Sequence, residues 1–508
     1  LTALPVANAA SQDKEENFQY PMPEITPPAH HPRVLITPEF IPVLKQRIAS
    51  DEFMQQAWKT ICDVAANINK AVLPKDNQFS NATLNAQLSQ AMRYVIDGDT
   101  FMGQSAVDKH IDMLDRITFG KRNDVTRDYG AVIFTTGLIY DWCYPLLTAD
   151  QKREIIAKTR KLAGRMEMRY PPYRQGAITG HGGEAQLLRD QLSAAIAFFD
   201  EDPSVYHHVA GRLFAEFIEA RNFFYPSHRH HQGIGYGVYR FHWEIYSAWL
   251  FKRMVGKDIY SADQGKVPYH WVYATCPNGS ALIDGDTNMG GKPYNIFDAL
   301  LQVSNYYKDP YLRAESQRRG VTRFARSNPI EFLLFYDPSI KSADMNELPT
   351  TKFFAEPLGG MIARTGWTMG RDSDVAVIEM KGAGYHFNNH QHLDAGAFQI
   401  FYRGHLAIDT GAYPKYGTPF DWSFNKRSIS HNTMLAYDPT ETYDKGVNDG
   451  GQHFPANARE FRTLDQLLEH AKSGSIISHD FGPNPVKPLY SYLRTDLTPA
   501  YRAKMQSY

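Results

Sequence analysis

From about residue 38 to residue 330, apolar residues recur at three- and four-residue spacing, which predicts helices. Thr37-Pro38-Glu39 reads as N-cap, first helical position and first-turn acid ahead of FIPVLKQRI. GAVIFTTGLIYDWCYPLL followed by TADQKREIIAKTRKLAGRM reads as a helix, a capped turn and a second helix. EAQLLRDQLSAAIAFFD, SVYHHVAGRLFAEFIEARNFF and VYRFHWEIYSAWLFKRMV continue the series. Helices joined by short loops over nearly 300 residues predict an α/α toroid or solenoid, although no strict repeat is visible. After about residue 350 the period changes. GGMIART, SDVAVIEMK, GAFQIFYRGHLAIDTG and HNTMLAYDP are short, partly alternating and punctuated by Gly, Asp and Asn, which predicts an antiparallel sheet domain. The divisions read as 1–32, an export-signal remnant and extended lead-in; 33–340, helical; and 341–508, the sheet domain, with a link at DPSIKSADMNELPTTK.

Composition narrows the partners. With 43% hydrophobic and 21% charged residues over 508 positions, the chain is globular. A net charge of −1 gives no global field to attract a polyanion, so anion binding must be local and nucleic acid is not expected. No apolar run is long enough to span a membrane. Aromatics reach 13%, which suits sugar rings but is mostly explained by aromatic cores. LTALPVANAA ends in Ala7-Asn8-Ala9, like the tail of a secretory signal, which predicts a periplasmic or secreted protein. Cys62, Cys143 and Cys276 form no C-x-x-C pair and are expected to be buried thiols.

Three stretches carry candidate chemistry. NHQHLDAG places His390, His392 and Asp394 at alternate positions, where a metal site, a proton-transfer site and a plain strand end are all open readings. His386, Asp409 and His431 are further ligand types in the same domain. ITGHGGEAQLLRD puts His181 and Glu184 at the mouth of a helix, where Glu184 can reach His181 or a terminal amide. RNFFYPSHRHHQGIGYGVYR, residues 221–240, holds three Arg, three His and no acid, and so reads as a local anion trap. Its Tyr236, between glycines, is expected outside regular helix.

In combination these stretches resemble the heparinase II/III-like polysaccharide lyases. YDWCYPLL, GHGGE, RNFFYPSHRHHQG, MIARTGW, NHQHLDAGAFQIFYRGHLAIDTG, KRSISHN and SYLRTDLTPAY carry the likeness, from HHPRVLI onward. There are departures. GHGGE has Gly where a family member has Ala-Ser, and the sequence stops at Tyr508 where the family continues into more β structure. The resemblance implies a multidomain α + β fold, an incomplete (α/α) toroid followed by an antiparallel β-sandwich, truncated at its C-terminus. It also implies β-elimination on a uronate polymer, heparin or heparan sulfate before chondroitin, hyaluronan or alginate. Carried over residue by residue, it places His181, Tyr236 and His390 at catalytic positions, with Glu184 beside the first. His392, Asp409 and His431 fall on a structural zinc site. On this scheme His181 and Asn389 neutralise the substrate carboxylate, and Arg221, Arg229 and Arg240 are sulfate or carboxylate partners. Tyr236 and His390 are expected to face each other across the cleft, one contributed by each domain. An acidic polysaccharide is the expected partner, and a homodimer is compatible. A glycoside hydrolase, which needs two opposed carboxylates, and a non-catalytic glycan-binding protein are the rival classes.

Overall fold

The computed structural model describes residues 20–121, 124–166, 178, 185–287, 296–411, 413, 415–455, 461 and 463–504. The Ala7-Asn8-Ala9 segment, His181 and Glu184 lie outside them.

The helical half begins with Phe40–Ser50 and Glu52–Ala66, the second capped by Asp51, whose side chain accepts from the Phe53 and Met54 amides. Asn81–Asp97, Thr100–Arg116 and Thr126–Trp142 follow, each packed on its neighbour. The expected capped turn is present. Thr148 and Gln151 form a reciprocal capping box that opens Ala149–Ala163. Two predicted helices contain π turns, at Gln186–Gln191 and at Leu213–Phe217. The last helix, Pro329–Phe335, packs back on Glu52–Ala66, so the helices curl round into a toroid. Arg47 fastens that closure by pairing with Asp337 and donating to the Tyr336 carbonyl at 3.2 Å. The extended lead-in is strapped to the same body. His31 lies between Asp141 (2.6 Å) and Asp200 (2.9 Å), and the Tyr20 hydroxyl donates to Glu216 at 2.7 Å.

The strands β1 (Thr351–Phe354), β2 (Leu358–Arg364), β3 (Ala376–Gly384), β4 (Phe398–Tyr402) and β5 (His405–Ala407) form one antiparallel meander. Register pairs Thr351 with Ala363, Ile362 with Glu379, Ile378 with Ile400 and Phe401 with His405. A two-stranded ribbon, β6 (Ser475–Gly482) and β7 (Tyr490–Asp496), forms the second layer against β3. Ile476 of β6 fits there because Gly359 and Gly382 carry no side chain; a Cβ on either would lie 2.7 Å from its Cδ1. One hydrophobic core runs from the helices into the sheet through Phe354, Ile362, Val377 and Phe401. The alternation of β3 turns Val377, Glu379 and Lys381 inward and leaves Ile378 37% exposed. Polar side chains thus line part of the inner face, which bears on the site below.

Two expectations need correction. HNTMLAYDP is not a strand. The Asn432 side-chain amide donates to the carbonyls of Phe398 (3.0 Å) and Ile408 (2.9 Å), so a side chain does there what a ladder would. Cys143 and Cys276 are buried thiols, but Cys62 is only half-buried. No helix among the described residues is long and apolar enough to cross a membrane.

Candidate active site

Three backbone segments meet with almost no side chain between them. Gly233 has φ +68° and lies against the Asp284 carbonyl, which also accepts from the Ile234 amide at 3.0 Å. A Cβ on Gly235 would lie 2.7 Å from the Asp286 carbonyl oxygen, and one on Gly285 (φ +70°) would lie 2.8 Å from that of His390. The Asp286 amide donates to that same His390 carbonyl at 3.0 Å. The glycines of GIGYG and of Asp284-Gly285-Asp286 thus allow close stacking of the toroid loop, the connecting loop and NHQHLDAG. Gly233→Ala should therefore destabilise the protein by at least ~1–2 kcal/mol, from the left-handed backbone alone. The overlap with Asp284 adds to this, and thermal unfolding of the purified variant checks it.

Tyr236 is the first residue of the helix Tyr236–Val255 and not a loop residue. Its ring stacks on His390, with centroids 3.5 Å apart and planes 3° from parallel. This corrects the expectation that the two face each other across the cleft: rings in contact leave no room for a sugar between them, so both belong to one wall. The Tyr236 hydroxyl is 3.4 Å from that of Tyr413, and Tyr416 meets His390 edge-on at 5.6 Å. The loop bearing His390 is turned by Asn388 and Asn389, both at positive φ, so His390 and His392 sit in irregular backbone and not on a strand. Burial pushes the His390 imidazole down to about 4, which leaves it neutral at physiological pH.

The basic stretch contributes less to the site than its composition suggests. Arg221 is fully buried against Glu244 at 3.1 Å. Arg229 is held by Asp284 at 2.9 Å and Glu379 at 3.1 Å. Neither therefore faces a ligand, and both assignments as substrate partners are corrected. The neutralising acids come from outside residues 221–240, so the stretch itself could not reveal them. Asp394 is likewise engaged, in a buried pair with Lys381. Arg240 differs. It is buried one helical turn beyond Tyr236, and none of its guanidinium nitrogens has a hydrogen-bond partner among the described residues. Asn389 Nδ2 and His390 Nε2 are also unpartnered there. The Arg240 guanidinium and the Asn389 amide are thus buried donors with unused hydrogen-bonding capacity, the kind of group an anion would satisfy, whereas His390 Nε2 offers a lone pair.

Behind the stack, His392, Asp409 and His431 bring ligand atoms within 4.8 Å of one another. Asp409 Oδ2 is 3.1 Å from His431 Nδ1 and 3.9 Å from His392 Nδ1. Ligands about 2.0–2.1 Å from a tetrahedral zinc lie roughly 3.3 Å from each other, so the set fits zinc with modest contraction. His392 Nδ1, Asp409 Oδ2 and both ring nitrogens of His431 lack hydrogen-bond partners among the described residues, as atoms directed at a cation would.

Asp286 and Tyr413 are the residues that sequence reasoning missed. Asp286 is fully buried and accepts from His390 Nδ1 at 2.7 Å and from His392 Nε2 at 2.9 Å. Burial opposes its charge, but the hydrogen bonds from both histidines and the charge of Lys426 outweigh it and hold the carboxyl well below the usual range. The available signal was Asp-Gly-Asp in a connecting loop, which looks like any polar turn.

No protein-family model and no curated protein matches the chain. It is similar to solved structures of lyases. A heparinase III has 13% identity and a TM-score of 0.44, over 92% of this chain and 74% of that one. Heparan sulfate lyase HepC from Pedobacter heparinus has 14% identity and a TM-score of 0.38, over 68% of this chain and 51% of that one. A xanthan lyase from Paenibacillus has 12% identity and a TM-score of 0.42, over 72% and 40%. The chain thus spans about half the length of the Pedobacter lyase, and 61% of another heparinase III structure.

Proposed function

We propose that this chain is a polysaccharide lyase that cleaves a uronate-containing glycosaminoglycan, heparin or heparan sulfate, by β-elimination. The observation that carries the reading is Tyr236 stacked on His390, one helical turn before Arg240, whose guanidinium has no partner among the described residues, with an unpartnered Asn389 amide next in sequence to His390. A uronate's C5 proton lies next to its carboxylate, and removing it spreads negative charge onto the carboxyl oxygens. Arg240 and Asn389 supply the donors that damp that charge. A base takes the C5 proton, and the C5–H electron pair is held as the enolate-like centre. C4=C5 then forms as the C4–O4 bond breaks, and an acid returns a proton to the departing O4. In glucuronate the C5 proton and O4 share a face, so Tyr236 alone can do both. In iduronate they lie on opposite faces, and a second group is needed. Because His390 is stacked on Tyr236, on one wall, the geometry favours glucuronate.

The residues around His392 suit zinc as a structural ion, which when bound would tie three segments of the sheet domain together. Export, read from Ala7-Asn8-Ala9, accords with a polymeric substrate.

Incubation with heparan sulfate, followed by ultraviolet absorbance, tests the reading. Elimination makes a double bond conjugated to the carboxylate, hydrolysis gives reducing ends without it, and a binding protein gives neither. Only the first supports the proposal. Chondroitin, hyaluronan and alginate in parallel decide the polymer. Arg240→Met should lower kcat/KM by ~10²–10³-fold, as loss of an oxyanion donor does; an unchanged value would remove Arg240 from the site.

A further inference from the structure

The carboxylate of Asp286 is shared. Its Oδ1 accepts from His392 Nε2 (2.9 Å) and Asn425 Nδ2 (3.2 Å). Its Oδ2 accepts from His390 Nδ1 (2.7 Å) and Lys426 Nζ (3.0 Å). Four donors occupy the four lone-pair positions that a carboxylate offers. Asp286, Asn425 and Lys426 are all buried, so none of these donors is readily exchanged for water.

Each hydrogen bond fixes a ring. With Nε2–H given to Asp286, His392 has its lone pair on Nδ1, the atom 3.9 Å from Asp409 Oδ2. With Nδ1–H given to Asp286, His390 has its lone pair on Nε2, which is unpartnered among the described residues. The tautomers follow from the hydrogen-bond network. The two histidines therefore take opposite tautomers from one acid, and the Asp286 amide pins the His390 backbone as well.

We infer that Asp286 is a positioning residue that sets the ring plane and tautomer of His390 and His392 together, so that the cation site and the proton-transfer wall are coupled through it. The role given to His390 rests on the lyase reading; the coupling does not. A carboxylate behind a metal-bound histidine is a known way to orient the ligand, and its loss typically costs ~10–100-fold in metal affinity or activity. What is new here is that the second oxygen of that carboxylate holds the candidate proton-transfer histidine. By linkage, whatever loosens one ring must be felt at the other.

The test uses the full chain and zinc ion, with affinity read by competition against a chromophoric chelator. Asp286→Asn should weaken zinc binding by ~10–100-fold. His390→Ala, which removes no ligand atom, should still weaken it by ~5-fold or more. Imidazole ¹⁵N resonances should report His390 as the Nδ1–H tautomer in the unaltered protein and change when zinc is withdrawn. In Asp286→Asn, kcat should fall with KM nearly unchanged, whereas a merely loosened fold would move both. Zinc affinity unaffected by His390→Ala, a His390 spectrum indifferent to zinc, or no zinc binding at all would overturn the coupling. If Asp286→Asn does not fold, the His390→Ala and ¹⁵N results decide alone. Neither needs turnover, so a protein without lyase activity can still display the coupling, and a lyase can lack it.

Discussion

Tyr236→Phe is expected to remove ~10²–10⁴-fold of turnover, the usual cost of losing a proton-transfer group, while leaving oligosaccharide affinity and melting temperature near those of the unaltered protein. The ring stays, and with it the stack on His390 at 3.5 Å and the edge contact with Tyr413. Only the hydroxyl goes. Tyr413 is a poor substitute as a base although its hydroxyl is 3.4 Å away. Burial, the leading cause and one that the substitution leaves in place, pushes its phenol above the ordinary tyrosine range, so it stays protonated. Ultraviolet absorbance gives kcat, and calorimetry with a saccharide of defined length gives affinity. A folded variant that turns over at the original rate would exclude Tyr236 from proton transfer.

His431→Ala is expected to lower the melting temperature by on the order of 10 °C and to abolish zinc retention. Removing a partner from a buried carboxylate, here Asp409, costs ~3–5 kcal/mol, and each kcal/mol shifts melting by ~2–4 °C in a domain of 150–250 residues. Asp409 would be left buried with His392 3.9 Å away and the Gly411 amide donating to its other oxygen. Chelation of the unaltered protein should produce a fall of the same sign, reversed by zinc. Calorimetric scans with and without chelator make the comparison. If the stripped protein kept its melting temperature and lost only turnover, regained with zinc, the ion would belong to the chemistry and not to the fold.

The parts of this structure that were legible in the sequence depend on near neighbours. The Thr148–Gln151 capping box joins residues three apart, β4 sits within a predicted strand segment, and β2 and β3 overlap theirs but run past one end. The parts that were not legible depend on partners far along the chain. Arg221 and Arg229 look like free cations until Glu244, Asp284 and Glu379 fold against them. Asn432 looks like a strand residue until its amide finds two carbonyls at positions 398 and 408. His392, Asp409 and His431 were assembled by family resemblance, since spacings of 17 and 22 residues have no geometry of their own. Asp286 had no such help, and its two histidines lie more than a hundred residues away. The stack of Tyr236 on His390 was the hardest to foresee, because a helix start and a loop from different domains create it.

The glycine-mediated lamination of three backbone segments also bears on how this site can change over time. Gly233, Gly235 and Gly285 each press on a carbonyl of the next segment, so a side chain gained at any of them displaces a neighbour that is itself wedged. Single substitutions at the back of the site are therefore trapped, each harmful unless another occurs with it. The front is freer. Tyr416 is 37% exposed, and Tyr239 is half-buried on the Tyr236 helix. Directed evolution toward a different acidic polymer should accumulate its accepted changes on that aromatic front, and libraries that randomise the glycines should return almost entirely the parental residues.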